Sequence, residues 1–164
     1  LVIKEPIKVK AFSKEKDHLG ELVLNLATGA TRFSRSDDGV ITDSTTNLQW
    51  LPGPDKDTDY NQAEQWISGA AANVAGGGWQ MPTREQLKSL RERNIYRFNI
   101  SPLFKATDYR YVWAGGDPKP QSYSPSAWHC SFGDGVCNPH PCDQSWHNRV
   151  FAVRPRTAPV SAGE

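Results

Sequence analysis

The run Gly76-Gly77-Gly78-Trp79-Gln80-Met81-Pro82-Thr83 constrains the fold more than any other stretch of this chain. Consecutive glycines stop a preceding helix, because glycine enters left-handed backbone without a steric cost. Thr83 is a natural cap for a following helix, and Gln86, three residues on, completes a capping box with it. Between stop and start lies Trp79, an aromatic with a large area to bury. The segment therefore reads as one helix ending, a crossing of the core, and a second helix beginning.

The first of these helices starts at a second capping arrangement, Asp59 with Gln62, and Ala63, Trp66, Ile67, Ala70 and Val74 recur at helical spacing up to Gly76. The second carries Leu87 and Leu90 inward and keeps Arg84, Lys88 and Arg91 in water. Before them, Arg32-Phe33 and Val40-Ile41-Thr42 flank the turn sequence Ser36-Asp37-Asp38-Gly39, which predicts a hairpin. After them, Tyr111-Val112-Trp113, Ala127 to Phe132 and Arg149 to Val153 read as strands between glycine, proline and serine loops. The fold class expected is α+β: a single domain with two helices and a mostly antiparallel, loop-rich sheet. Residues 1–30 read as a strand-like extension, with Ile7, Val9 and Ala11 alternating against Lys8 and Lys10 and with Leu22 and Leu24 facing one way. The domain proper is expected over 31–156, and residues 157–164 as a flexible tail.

A chain of 164 residues suffices for one sizeable core. No apolar run approaches the ~20 residues that cross a bilayer, so no membrane span is expected. With a pI near 7.9 and no basic-aromatic motif, nucleic acid is not an expected partner. The net charge of +1 conceals an asymmetry: residues 36–64 hold seven acidic side chains and one basic, whereas residues 84–110 hold seven basic and three acidic. The chain begins at Leu1 rather than methionine, as it would after removal of a signal peptide.

Placed in order, these pieces resemble the Lcl C-terminal domain (DUF1566) family. The resemblance is carried by Arg32-Phe33, Asp38-Gly39-Val40-Ile41-Thr42-Asp43, Leu48-Gln49-Trp50, the helix around Ala63, Gly78 to Thr83 with Glu85, Leu87 and Leu90, and then Val112-Trp113, Ala127-Trp128, Phe132 to Gly135 and Val150 to Arg154. It covers about residues 31–156. It implies a C-type-lectin-like fold, similar to the sulfatase-modifying-factor branch, in an exported bacterial protein that is secreted, periplasmic or at the cell surface. In the collagen-like adhesin that gives the family its name, the domain binds sulfated polysaccharides and is a trimer. The chain departs from the pattern in residues 1–30, in the proline-rich loop from Gly115 to Ser126, and at Ala152, where many members carry cysteine.

The cysteine scheme depends on a hairpin register. If Gly133-Asp134-Gly135 forms a turn with a glycine bulge, Cys130 lands opposite Asn138 and faces the core; a two-residue turn at Gly133-Asp134 places it opposite Cys137 and permits a bridge. The expected arrangement is a Cys137–Cys142 disulfide across Asn138-Pro139-His140-Pro141, with Cys130 buried and reduced. Cys130, Cys137, His140, Cys142 and His147 follow no zinc template, and Asp55, Asp57 and Asp59 lack the glycine and downstream glutamate of an EF-hand loop, so no metal or other cofactor is expected. Strand alternation separates Cys130 from His129 and Ser131, which argues against a nucleophile paired with a base and for a protein that is not an enzyme.

In a C-type-lectin-like domain the resemblance places ligands on the long segment before the closing strand. Here that segment holds Tyr123, His140, Asp143, Gln144, Trp146, His147 and Arg149. Sugars need an aromatic surface for their C–H face and planar polar groups for their hydroxyls, and an anionic sugar adds a demand for arginine. The leading expectation is non-catalytic recognition of a glycan, including polyanionic polysaccharide. The alternatives are an accessory subunit docking through residues 1–30 on a protein partner or another copy of the chain, and a variable ligand-display protein.

Overall fold

The structure is a computed structural model that describes residues 31–92, 99–105, 111–116 and 125–156. The expected extension at 1–30, the tail at 157–164 and Tyr123 lie outside the described residues. Among the described residues are two α-helices and eight strands in two four-stranded sheets, an α+β arrangement.

The first sheet joins β1 (Phe33–Arg35), β2 (Ile41–Asp43), β3 (Leu48–Pro52) and β8 (Phe151–Pro155), in that spatial order and antiparallel throughout. The second has the order β6 (Cys137–Pro141), β5 (Ser126–Ser131), β4 (Tyr111–Ala114) and β7 (Asn148–Arg149), with β4 and β7 parallel. Period-two alternation divides the side chains between two cores. Trp50, Phe151 and Val153 from the first sheet meet Val112, Ala114 and Cys130 from the second. Leu51, Ala152, Trp113 and Ala127 point to the other side, where Ala63 and Ile67 of α1 (Tyr60–Ser68) cover them.

Both capping boxes form. Asp59 accepts from the Gln62 backbone N–H and Thr83 from that of Gln86, while each glutamine side chain accepts from its cap's own N–H. Helix α1 nevertheless stops at Gly69 rather than Gly76, and Ala71–Asn73 continues as a 3-10 turn. Val74 packs half-buried from that turn, but Ala70, expected to face inward, is exposed and Ala71 takes the buried place, because the backbone leaves the α-helix at Gly69. Helix α2 (Arg84–Ser89) follows the glycine run as expected.

That run is scaffold. Gly77 has φ +73°, and a β-carbon there would lie 2.7 Å from the Ala72 carbonyl oxygen. Trp79 Nε1 donates to the Val74 carbonyl at 2.9 Å, and Gln80 exchanges backbone hydrogen bonds with Val153. Arg154 locks the crossing in place: its Nη1 donates to the Ala75 carbonyl at 2.7 Å and its guanidinium lies 4.2 Å from the centre of the Trp79 ring. Trp50 and Trp113 are fully buried, and Trp66 and Trp128 pack half-buried against the two cores.

The disulfide is Cys130–Cys137, not the expected Cys137–Cys142, and Cys142 is free. The register of β5 on β6 decides this by setting Cys130 directly opposite Cys137. Phe132 to Gly135 form the connecting loop, closed by Ser131 N–H to the Val136 carbonyl at 2.9 Å and Gly135 N–H to the Ser131 carbonyl at 3.0 Å, with Gly135 at φ +80°. Cys137 packs into the first core and Cys142 against the second, so the two thiols lie on opposite faces. Pro139 and Pro141 suggested a loop where β6 stands; proline is accepted there because β6 is an edge strand and its missing N–H interrupts no inner ladder.

Candidate functional site

Between β6 and β7 the chain makes a short loop that presents Asp143, Gln144, Trp146 and His147 to solvent. Trp146 is 75% exposed, whereas the other tryptophans are buried or half-buried. Its presentation is anchored on both sides. Cys142 N–H donates to the Pro125 carbonyl at 3.0 Å, Gln144 N–H to the Pro141 carbonyl at 3.3 Å, and Asn148 N–H to the Ser145 carbonyl at 2.8 Å. His147, at φ +49°, offers its carbonyl to Tyr111 N–H at 3.3 Å. The hydrogen-bonded loop thus holds a large flat apolar face in water.

His140, expected at the ligand face, is half-buried. Its ring stacks on His129 at 4.4 Å, and His129 stacks on Tyr111 at 4.2 Å, with interplanar angles of 13° and 9°. Asn148 is fully buried and its Oδ1 lies 3.0 Å from His129 Nδ1. An amide oxygen only accepts, so His129 carries its proton on Nδ1. Burial holds both imidazoles below the usual histidine value of 6.5; the Asn148 bond opposes this at His129, and Asp143 opposes it at His140.

This stack has a pH consequence. Histidines whose folded pKa lies below the unfolded one favour the folded state above about pH 6.5, and that contribution is lost as pH falls through the lower folded values. Thermal unfolding followed between pH 7.5 and 5 should show the midpoint dropping on acidification. His140→Phe, which keeps the stack and removes a buried Nε2 that has no partner among the described residues, should flatten the drop. An equally steep profile in His140→Phe would exclude His140 as a source.

Arg149 is 8% exposed and already engaged: Nε donates to Asp55 Oδ1 at 3.0 Å and Nη1 to Asp57 Oδ1 at 2.5 Å. The Arg149 hydrogen bond holds the Asp57 carboxyl below its usual value against a small opposing effect of burial, and the His147 backbone N–H adds to the lowering. The alternating Asp55, Asp57 and Asp59 are thus divided between that ion pair and the cap of α1. Cys130 lies in the disulfide and His129 bonds Asn148, so the imagined grouping of Ser131, Cys130 and His129 is not assembled.

Sequence reasoning grouped Asp143, Gln144, Trp146 and His147, which share one solvent-facing loop, with His140, which is half-buried in the ring stack, and Arg149, which is paired to carboxylates. It missed a cleft of about 150 Å3 on the other side of Arg149, lined in part by Arg35, Asp55, Phe104 and Lys105. These residues come from distant segments, and no local motif links them.

Among the described residues no helix is long and apolar enough to cross a membrane. Comparison with curated proteins returned no match. The sequence model of the Lcl C-terminal domain matches residues 39–154, which takes in both capped helices and runs from just before β2 into β8. With most of its length inside that match, the chain belongs to the Lcl C-terminal domain family.

Proposed function

We propose that this domain is a non-catalytic recognition module of an exported bacterial protein and binds glycan through the loop of residues 142–147. The observation that carries the proposal is Trp146, exposed on an anchored loop and flanked by Asp143, Gln144 and His147. The indole offers a flat apolar face for the C–H side of a sugar ring. The amide of Gln144, the carboxylate of Asp143 and the imidazole of His147 supply donors and acceptors for its hydroxyls. The loop is pre-organised, so little ordering entropy opposes binding. Its charge favours a neutral sugar at this position, since the loop carries the acidic Asp143 and Arg149 is balanced by Asp55 and Asp57.

On a glycan array the protein should give selective signals, and Trp146→Ala should weaken them by about tenfold, the loss of ~1.4 kcal/mol. The unfolding midpoint should stay unchanged, because an exposed side chain contributes little to the core. Uniform silence across the array would sink the proposal.

A further inference from the structure

The cleft beside Arg149 gathers three cations and one carboxylate, with Pro52 and Pro54 as its accessible apolar lining. Phe104 and Phe151, stacked with ring centres 5.3 Å apart, back it from the core, where both are buried. Arg35 uses Nη1 on the Leu103 carbonyl at 2.6 Å, which fixes the guanidinium and leaves the rest of its fork for a ligand. Lys105 follows a 3-10 turn in left-handed backbone, φ +51°, pinned by its own N–H to the Pro102 carbonyl at 2.9 Å. Its exposed ammonium has no partner among the described residues. Asp55, held by Arg149 Nε, faces the same space.

We propose that this cleft takes one carboxylated sugar residue of the hexuronate type, its carboxylate between Arg35 and Lys105 and its hydroxyls donating to Asp55. The inference rests on the glycan reading above and adds the substrate class of a neighbouring subsite. Planar carboxylates match a guanidinium fork, and a lysine adds a point charge from a second direction. Asp55, an acceptor only, is suited to hydroxyl donors and disfavours a second negative charge on the ligand. The ring's C–H face has the accessible Pro52 and Pro54 to lie against. At about 150 Å3 the cleft is well below the roughly 300 Å3 where pockets enclosing whole drug-sized ligands begin, which suits a single residue. Arg149 connects the cleft to the Trp146 loop through Asp57, which also accepts from the His147 backbone N–H.

The test is titration of the full chain at low ionic strength with glucuronate, galacturonate, glucose and N-acetylalanine, observed by amide chemical shifts, alongside neutral oligosaccharides. The uronates should bind at least about tenfold more tightly than glucose or N-acetylalanine, and Lys105→Gln should weaken them about fivefold, within reach of one partly exposed charge pair. A thermal melt of Lys105→Gln checks that the fold is intact, and Arg35→Lys serves as the second variant, expected to lose uronate affinity through the fork geometry. Unchanged uronate affinity in both variants would overturn the inference, as would N-acetylalanine binding as well as the uronates. Neutral oligosaccharides binding while uronates do not would remove the cleft and leave the glycan reading in place. Silence from every sugar would remove both.

Discussion

Asp43→Ala should lower the unfolding free energy by about 3–5 kcal/mol, the largest loss expected from any single polar side chain here. Asp43 is fully buried and accepts four hydrogen bonds: from Arg32 Nε at 3.1 Å, Arg32 Nη2 at 2.8 Å, Thr46 Oγ1 at 2.8 Å and the Thr45 N–H at 2.9 Å. Arg32 continues to Glu92 at 3.1 Å and to the Ser89 carbonyl at 2.7 Å, so the pair ties the first sheet to the end of α2. Truncation strands a partly buried guanidinium and two further donors at once. Arg32 keeps Glu92 and some solvent, so the low end of the range is expected, and the double variant Arg32→Met/Asp43→Leu should recover most of the loss. Urea unfolding of the single and double variants measures this directly; a loss below about 1 kcal/mol in Asp43→Ala would show the pair to be incidental.

The same carboxylate sets an acid limit. Burial raises the Asp43 pKa, but the hydrogen bonds from Arg32, Thr46 and Thr45 together with the Arg32 charge outweigh it and hold the group below its usual 3.8. A depressed carboxylate contributes stability that is present above the unfolded value and lost as pH falls through the folded one. This contribution therefore disappears at lower pH than that of the histidine stack.

Opening the Cys130–Cys137 bridge should cost about 2–3 kcal/mol, the loop-closure entropy restored to the unfolded chain for a short loop. The double variant Cys130→Ala/Cys137→Ala, unfolded in urea beside the oxidised parent, reads this loss. The pairing itself is checked by alkylating denatured, unreduced protein with one reagent, then reducing and alkylating with a second. Cys142 should carry the first label, and Cys130 and Cys137 the second. The first label on Cys130 would restore the Cys137–Cys142 alternative, and on all three would remove the bridge altogether. Labelling needs the denatured state because burial, with Glu64, Asp143 and Asp59 nearby, raises the Cys142 thiol pKa and keeps it protonated.

Local chemistry was legible wherever its cause was local. Asp59 with Gln62 and Thr83 with Gln86 announced two helix starts because a capping box closes within four residues. Trp79 between glycines and a proline announced a core crossing for the same reason. The end of α1 was less legible, since Ala70 and Val74 continue the helical spacing past Gly69, where the helix stops and Ala71 rather than Ala70 turns inward.

Sequence alone determined the two capped helices, the α+β class and the family, all of which depend on neighbours in the chain or on their order. Tertiary structure decided what depends on register and on segments far apart. The β5–β6 pairing chose which cysteine faces Cys137, the ring stack left His140 half-buried, and Asp55 and Asp57 claimed Arg149. The physical reason is that a strand shifted by one residue exchanges its faces, and an ion pair spanning some ninety positions of chain leaves no mark in either local sequence.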